Sequence, residues 1–207
     1  MFGFGHHHED PIDTFWHRKF GPTVGAIAVF VLEVLQIVII SAAIIIPIRT
    51  FLIQPFYVKG ASMEPNFYDH EYLIIDELSF RMRDPVRGEI VVFRYPRDPS
   101  QYFIKRVVAL PGETVEVGDG RVTVYNAEFP NGKVLDESAY IDDASTEGKK
   151  KTTLGATEYF VLGDNRDESL DSRSFGPVTR DHIVGRVWVR GLPLSRVGTF
   201  DVPVYEF

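Results

Sequence analysis

The sequence predicts a mainly β protein carried on one N-terminal transmembrane helix, and three observations lead there. A single long apolar run lies near the N-terminus, from Val24 to Ile48. Beyond it come short stretches rich in Val, Ile, Phe and Tyr, separated by Gly, Pro and Asp, the pattern of strands and their turns. No amphipathic helical stretch of convincing length and no internal repeat follows.

The 207 residues suit one domain plus an appendage, and 44% hydrophobic residues suffice for a packed core. A formal charge of −7 argues against a nucleic-acid partner, which calls for a basic face. Cysteine is absent, which removes disulfides, thiol catalysis and Cys-based zinc sites and leaves the compartment open.

The apolar run holds one charge, Glu33, and one amide, Gln36. About 20 apolar residues cross a hydrocarbon core, so this run is long enough. A cleaved signal peptide has a shorter apolar stretch and ends at small residues, whereas this one closes with IPIRTF. His17, Arg18 and Lys19 precede the span and Arg49 follows it, with Glu9, Asp10 and Asp13 further out. The positive-inside rule therefore puts residues 1–22 in the cytoplasm, 23–49 across the plasma membrane and 50–207 outside. Glu33 and Gln36 share a helix face; Glu33 reads as protonated or snorkelling within one leaflet, with helix–helix contact as the alternative. His6, His7 and His8 read as a solvated tail segment rather than a metal tract.

Strands are expected at 56–58, 72–76, 89–94, 102–110, 114–117, 122–125, 159–162 and 183–190, with hairpins at PRDPS and GDG. Residues 136–153, DESAYIDDASTEGKKKTT, are too polar to bury much surface and read as an exposed, mobile loop with Lys149–Lys151 solvated.

Ser62 lies in a Gly-Ala-Ser-Met-Glu-Pro turn about a dozen residues past the span, where Gly60 and Ala61 would admit a substrate backbone. A serine hydroxyl needs a base. His70 and His182, the histidines beyond the span, carry no triad-like context. A neutral lysine serves if its site is dry. In YFIKRVVAL, alternation puts Phe103, Lys105, Val107 and Ala109 on one face, which suits Lys105 as that base or as a strand-edge lysine that snorkels to water; Lys59 has no apolar surround. YFVLGDNRDESLDSRSFGPV offers ion pairs, Asp171 with Arg173 or Asp167 with Arg166, and the Ser169 hydroxyl to orient an amine. As an EF-hand it fails, with Arg166 at position 3 and Ser169 at position 6.

In this order GASMEP (60–65), RGEIVVF (87–93), FIKRVVALPGE (103–113) and YFVLGDNRDESLDSRSFGPV (159–178) resemble the bacterial type I signal peptidases of the Ser-Lys dyad kind, over residues 54–192. The resemblance implies Ser62 as nucleophile, Lys105 as general base, Ser169 as its orienting partner and a structural Asp171–Arg173 pair. It further implies Asp164 as a support of the loop and Met63 as a buried neighbour of the nucleophile. Some members carry a Ser where this chain has Gly60, so the Ser62 N–H would carry most of the oxyanion role. The fold implied is a mostly antiparallel β domain with a small variable extension, residues 114–158. The partners implied are the signal peptides of exported preproteins and the lipid bilayer, with Phe56, Tyr57, Phe67 and Tyr68 available to the interface or the core. No cofactor and no metal are expected, and activity should withstand EDTA. The sequence is silent on oligomeric state. Autocleaving repressors share such a dyad on a related β core but carry no span. A membrane-tethered binding relic would be expected to lose Ser62 or Lys105.

Overall fold

Residues Pro22–Pro47 form one 26-residue helix, α1, in the computed structural model, which describes residues 22–47, 53–141, 146–203 and 205. The chain divides into two compact units, Met1–Thr50 and Phe51–Phe207. From Thr23 to Ile46 the mean hydropathy is 2.8. Phe30, Ile37 and Ile46 are 62% to 65% exposed. So much bare apolar surface is unfavourable in water and favourable in hydrocarbon, and 24 helical residues span about 36 Å, more than a bilayer core. The His6–His8 tract, the flanking His17, Arg18 and Lys19, and Arg49 lie outside the described residues.

The second unit contains β1 (Ile53–Tyr57), β2 (Tyr72–Asp76), a short helix α2 (Ser79–Met82), β3 (Ile90–Tyr95) and β4 (Asp98–Ala109). After them come β5 (Thr114–Gly118), β6 (Arg121–Tyr125), β7 (Lys133–Val134), β8 (Lys150–Thr153) and β9 (Glu158–Leu162). The chain continues through α3 (Ser172–Phe175), β10 (Val178–Thr179), β11 (Ile183–Leu192) and β12 (Gly198–Thr199). The main sheet runs β1-β2-β11-β3-β4-β9-β10 with β12 on β11, and the second runs β7-β6-β5-β8. Every pairing is antiparallel.

The unbroken apolar run of β3 is explained by burial on both faces. Ile90 and Val92 join Met63, Phe67, Leu73 and Ile75 in one cluster. Val91 and Phe93 join Val107, Tyr159 and Val161 in another. β5 and β6 alternate, and Val115, Val117, Val122 and Val124 pack the second sheet onto Val108, Phe160 and Leu162. Both expected hairpins form. Asp98 pairs with Tyr95, and Gly118 with Arg121 across Asp119 and Gly120, whose φ values of 51° and 75° suit a tight two-residue turn.

Three expectations need correction. β4 pairs β3 through Tyr102–Arg106 and then β9 from Arg106, with a register shift between Val107 and Ala109. Phe103 and Val107 share a cluster as alternation requires, but past the shift Ala109 packs into the other one. Residues 136–153 are not simply an exposed loop, for Glu137, Tyr140, Ile141 and Thr146 are buried and β8 adds to the second sheet. Composition misleads here because the buried charge is paired: Arg166 holds Glu137 at 2.6 Å and 2.8 Å. Lys149–Lys151 is not merely solvated either. Lys150 Nζ donates to the Ser172 and Arg173 carbonyls, and Lys151 pairs with Glu116 at 2.8 Å. The strands β7, β8, β10 and β12, of two to four residues, are too short to show a period.

Candidate active site

Ser62 sits in the turn that links β1 to β2. Gly60 opens that turn at φ +85°, and a Cβ there would meet nothing within 4 Å, so backbone conformation and not space calls for glycine. The Gly60 N–H donates to Asp69 Oδ1 at 3.1 Å. Met63 and Phe67 are fully buried and root the turn in the core. Phe67 is thereby unavailable to a membrane interface, whereas Tyr57 and Tyr68 are about 40% exposed.

Lys105 reaches the turn from β4, where it pairs with Val91. Its Nζ lies 2.6 Å from Ser62 Oγ and donates to the Ile104 carbonyl at 2.8 Å. The residue is 4% exposed. Loss of water around the ammonium pushes the Lys105 pKa down to about 8, against the upward pull of the Asp171 and Asp164 carboxylates.

The loop after β9 forms the opposite wall. Asp164 is held bidentately by Arg106 at 2.8 Å and 2.7 Å, and it accepts a further bond from Asn66 Nδ2 at 2.8 Å. Asp171 accepts from Arg173 at 2.9 Å through both guanidinium contacts and from the Gly163 N–H at 3.2 Å, so the expected ion pair forms and closes the loop. The Asn165 N–H donates to the Ser62 carbonyl at 3.2 Å, tying the loop to the Ser62 turn. At Gly163 a side chain would overlap both the Ser62 carbonyl and the Ser169 side chain.

One expectation fails at this wall, and of the two alternative ion pairs only Asp171–Arg173 forms. The Ser169 hydroxyl is buried and makes no hydrogen bond among the described residues, so it does not reach the Lys105 amine. It packs instead into the space that Gly163 leaves. Arg166 pairs with Glu137 rather than with Asp167. The sequence reading missed Arg106, Asn66 and Glu137. A signal existed for Arg106, since a cation beside Lys105 in a strand this apolar needs a buried carboxylate. Asn66 and Glu137 gave none, because their partners are remote in the chain.

A cleft of about 500 Å³ opens over the Ser62–Lys105 pair, walled by Tyr57, Ala61, Tyr102, Ile104 and Leu170. β9 pairs β4 only from Arg106 onward, so residues 98–105 keep one edge without a sheet partner among the described residues. Such an edge accepts an extended peptide. Hydroxyl, buried amine and strand edge together suit attack on a peptide carbonyl.

A family model described as signal peptidase, peptidase S26, matches residues 31–191. The probable signal peptidase I-2 of Synechocystis sp. is 40% identical over 173 residues, covering 81% of this chain and 76% of its own. Signal peptidase I of Leptolyngbya laminosa is 36% identical over 179 residues, covering 83% and 85%. The crystal structure of a signal peptidase I from Enterococcus faecalis aligns with 51% of this chain and 97% of that one, at 33% identity and a TM-score of 0.42.

Proposed function

This chain belongs to the signal peptidase family, peptidase S26, as a membrane-anchored type I signal peptidase, and we propose that it cleaves signal peptides from exported preproteins with a Ser62–Lys105 dyad at the membrane surface. The observation that carries this reading is the 2.6 Å contact between a buried amine and the Ser62 hydroxyl. With α1 crossing the plasma membrane and residues 1–22 in the cytoplasm, residues 50–207 act outside as the catalytic domain. Residues 114–158 are its β extension.

The substrate lies extended along the open edge of β4. Neutral Lys105 takes the proton from Ser62 Oγ as that oxygen bonds to the scissile carbonyl carbon. The Ser62 N–H stabilises the oxyanion. The Lys105 ammonium then gives its proton to the departing amine as the C–N bond breaks, leaving an acyl-enzyme. Lys105 next takes a proton from water as the water oxygen bonds to the ester carbon, and it returns that proton to Ser62 Oγ as the carbon–Oγ bond breaks and the signal peptide leaves. The Ile104 carbonyl, by accepting one N–H, aims the amine lone pair at Ser62. Asp171 with Arg173, and Asp164 with Arg106, hold the loop that backs the nucleophile, and Ser169 and Met63 fill the space around it.

The pH profile tests the base. Lys105 works only when neutral, and its neutral fraction rises with pH through about 8. Cleavage kcat/KM should therefore climb about tenfold per pH unit on the acid side and level off above about 8. A profile flat from about pH 5 to 9 would rule out Lys105 as the titrating base.

A further inference from the structure

Asn66 and the segment 136–141, in which Glu137, Tyr140 and Ile141 are buried, have no part in the mechanism above, yet they join the elements that surround it. Asn66 lies four residues beyond Ser62, in the same turn. Its Nδ2 donates in two directions, to Asp164 Oδ2 at 2.8 Å and to the Tyr140 carbonyl at 2.8 Å. From Tyr140 the connections continue. Its hydroxyl donates to Glu137 Oε1 at 2.7 Å, and its ring lies 3.9 Å under the Arg106 guanidinium. Glu137 holds Arg166, whose Nε donates to the Gly163 carbonyl at 2.9 Å. The segment 136–141 thus grips the nucleophile turn through Asn66 and the facing loop through Arg166.

We propose that Asn66 is a positioning residue, clamping the Ser62 turn between Asp164 and the Tyr140 carbonyl so that the hydroxyl stays within reach of a dry Lys105. The donor chemistry is specific. Both partners are acceptors, so only a side chain with two N–H donors satisfies them at once. A shift of about 1 Å at a reacting atom is enough to cost about a hundredfold in rate. Loosening the turn also admits water to Lys105, which removes the cause of its lowered pKa. The inference rests on the dyad reading.

The test compares Asn66→Ala and Asn66→Asp with the parent, as full-length chains in detergent cleaving a preprotein. Ser62→Ala serves as the control for the dyad itself. Asn66→Ala should lower kcat about 10- to 100-fold with KM unchanged. It should also move the acid-side limb of kcat/KM to higher pH by at least about half a pH unit, while the melting temperature stays within a few degrees. Asn66→Asp should be worse, because it sets a carboxylate against Asp164. Activity within twofold of the parent with an unmoved limb would overturn the proposal. A loss that merely follows the folded fraction, with the limb unmoved, would equally overturn it, since that is a structural role. If Ser62→Ala remained active, the dyad reading would fail separately from the clamp.

Discussion

Replacing Lys105 with methionine is expected to abolish signal-peptide cleavage and, below about pH 8, to make the folded protein more stable. The loss follows from the base: with no amine 2.6 Å from Ser62 Oγ, nothing takes the hydroxyl proton, and the rate should fall at least about 10³-fold. Ser62→Ala should fall as far, and Ser62→Ala combined with Lys105→Met no further, because the two act as one unit. The gain in stability follows from the same burial. A lysine whose pKa falls from 10.5 unfolded to about 8 folded opposes folding when charged. The unfolded chain binds more protons between those values, so stability rises with pH across about 8 to 10.5, and the full penalty applies below about 8. That penalty is about 3 kcal/mol, and methionine, similar in length and uncharged, removes much of it. Thermal unfolding of both forms in detergent at pH 6 and pH 10 measures this. The methionine form should lead clearly at pH 6, and the gap should shrink at pH 10. Equal stability at both values would mean that the amine is well solvated.

Gly163→Ala should disable the enzyme almost as completely with the dyad intact. Its added methyl would overlap the backbone carbonyl of Ser62 and the side chain of Ser169, and the carbonyl belongs to a turn already fastened by the Asn165 N–H. A flexible neighbour would swing aside, but this backbone can give way only by moving the nucleophile. A loss of about 100-fold or more in kcat is expected, with the Asp171–Arg173 pair still formed. Near-normal cleavage by Gly163→Ala would show that the turn adapts and that its packing against the loop is not critical.

Local pattern made Ser62 and Lys105 candidates but left Lys105 as either a base or a strand-edge lysine, and the resemblance of the four motif blocks joined them as a dyad. Lys105 sits in an apolar strand whose alternation is visible, and Ser62 in a turn of small residues. Strands with a clear period, such as β5 and β6, were equally readable. Long-range polar pairing was not. Residues 136–153 look like solvated loop because the stretch is polar and low in large apolar residues, and only the fold brings Arg166 to neutralise Glu137. Ser169 was expected to bond the lysine because a hydroxyl near an amine invites it. The packing at Gly163 turns that hydroxyl elsewhere, and a steric fact of this kind leaves no trace in residue order.

The central claim is a neutral, dry amine beside one hydroxyl, and the titration of that amine is its most direct measure. Lysine labelled with carbon-13 at Cε, in the full-length protein and assigned by loss of one signal in Lys105→Met, reports protonation by chemical shift. The account predicts a Lys105 midpoint near pH 8. A midpoint at about 10.4, the value of a lysine in water, would contradict it.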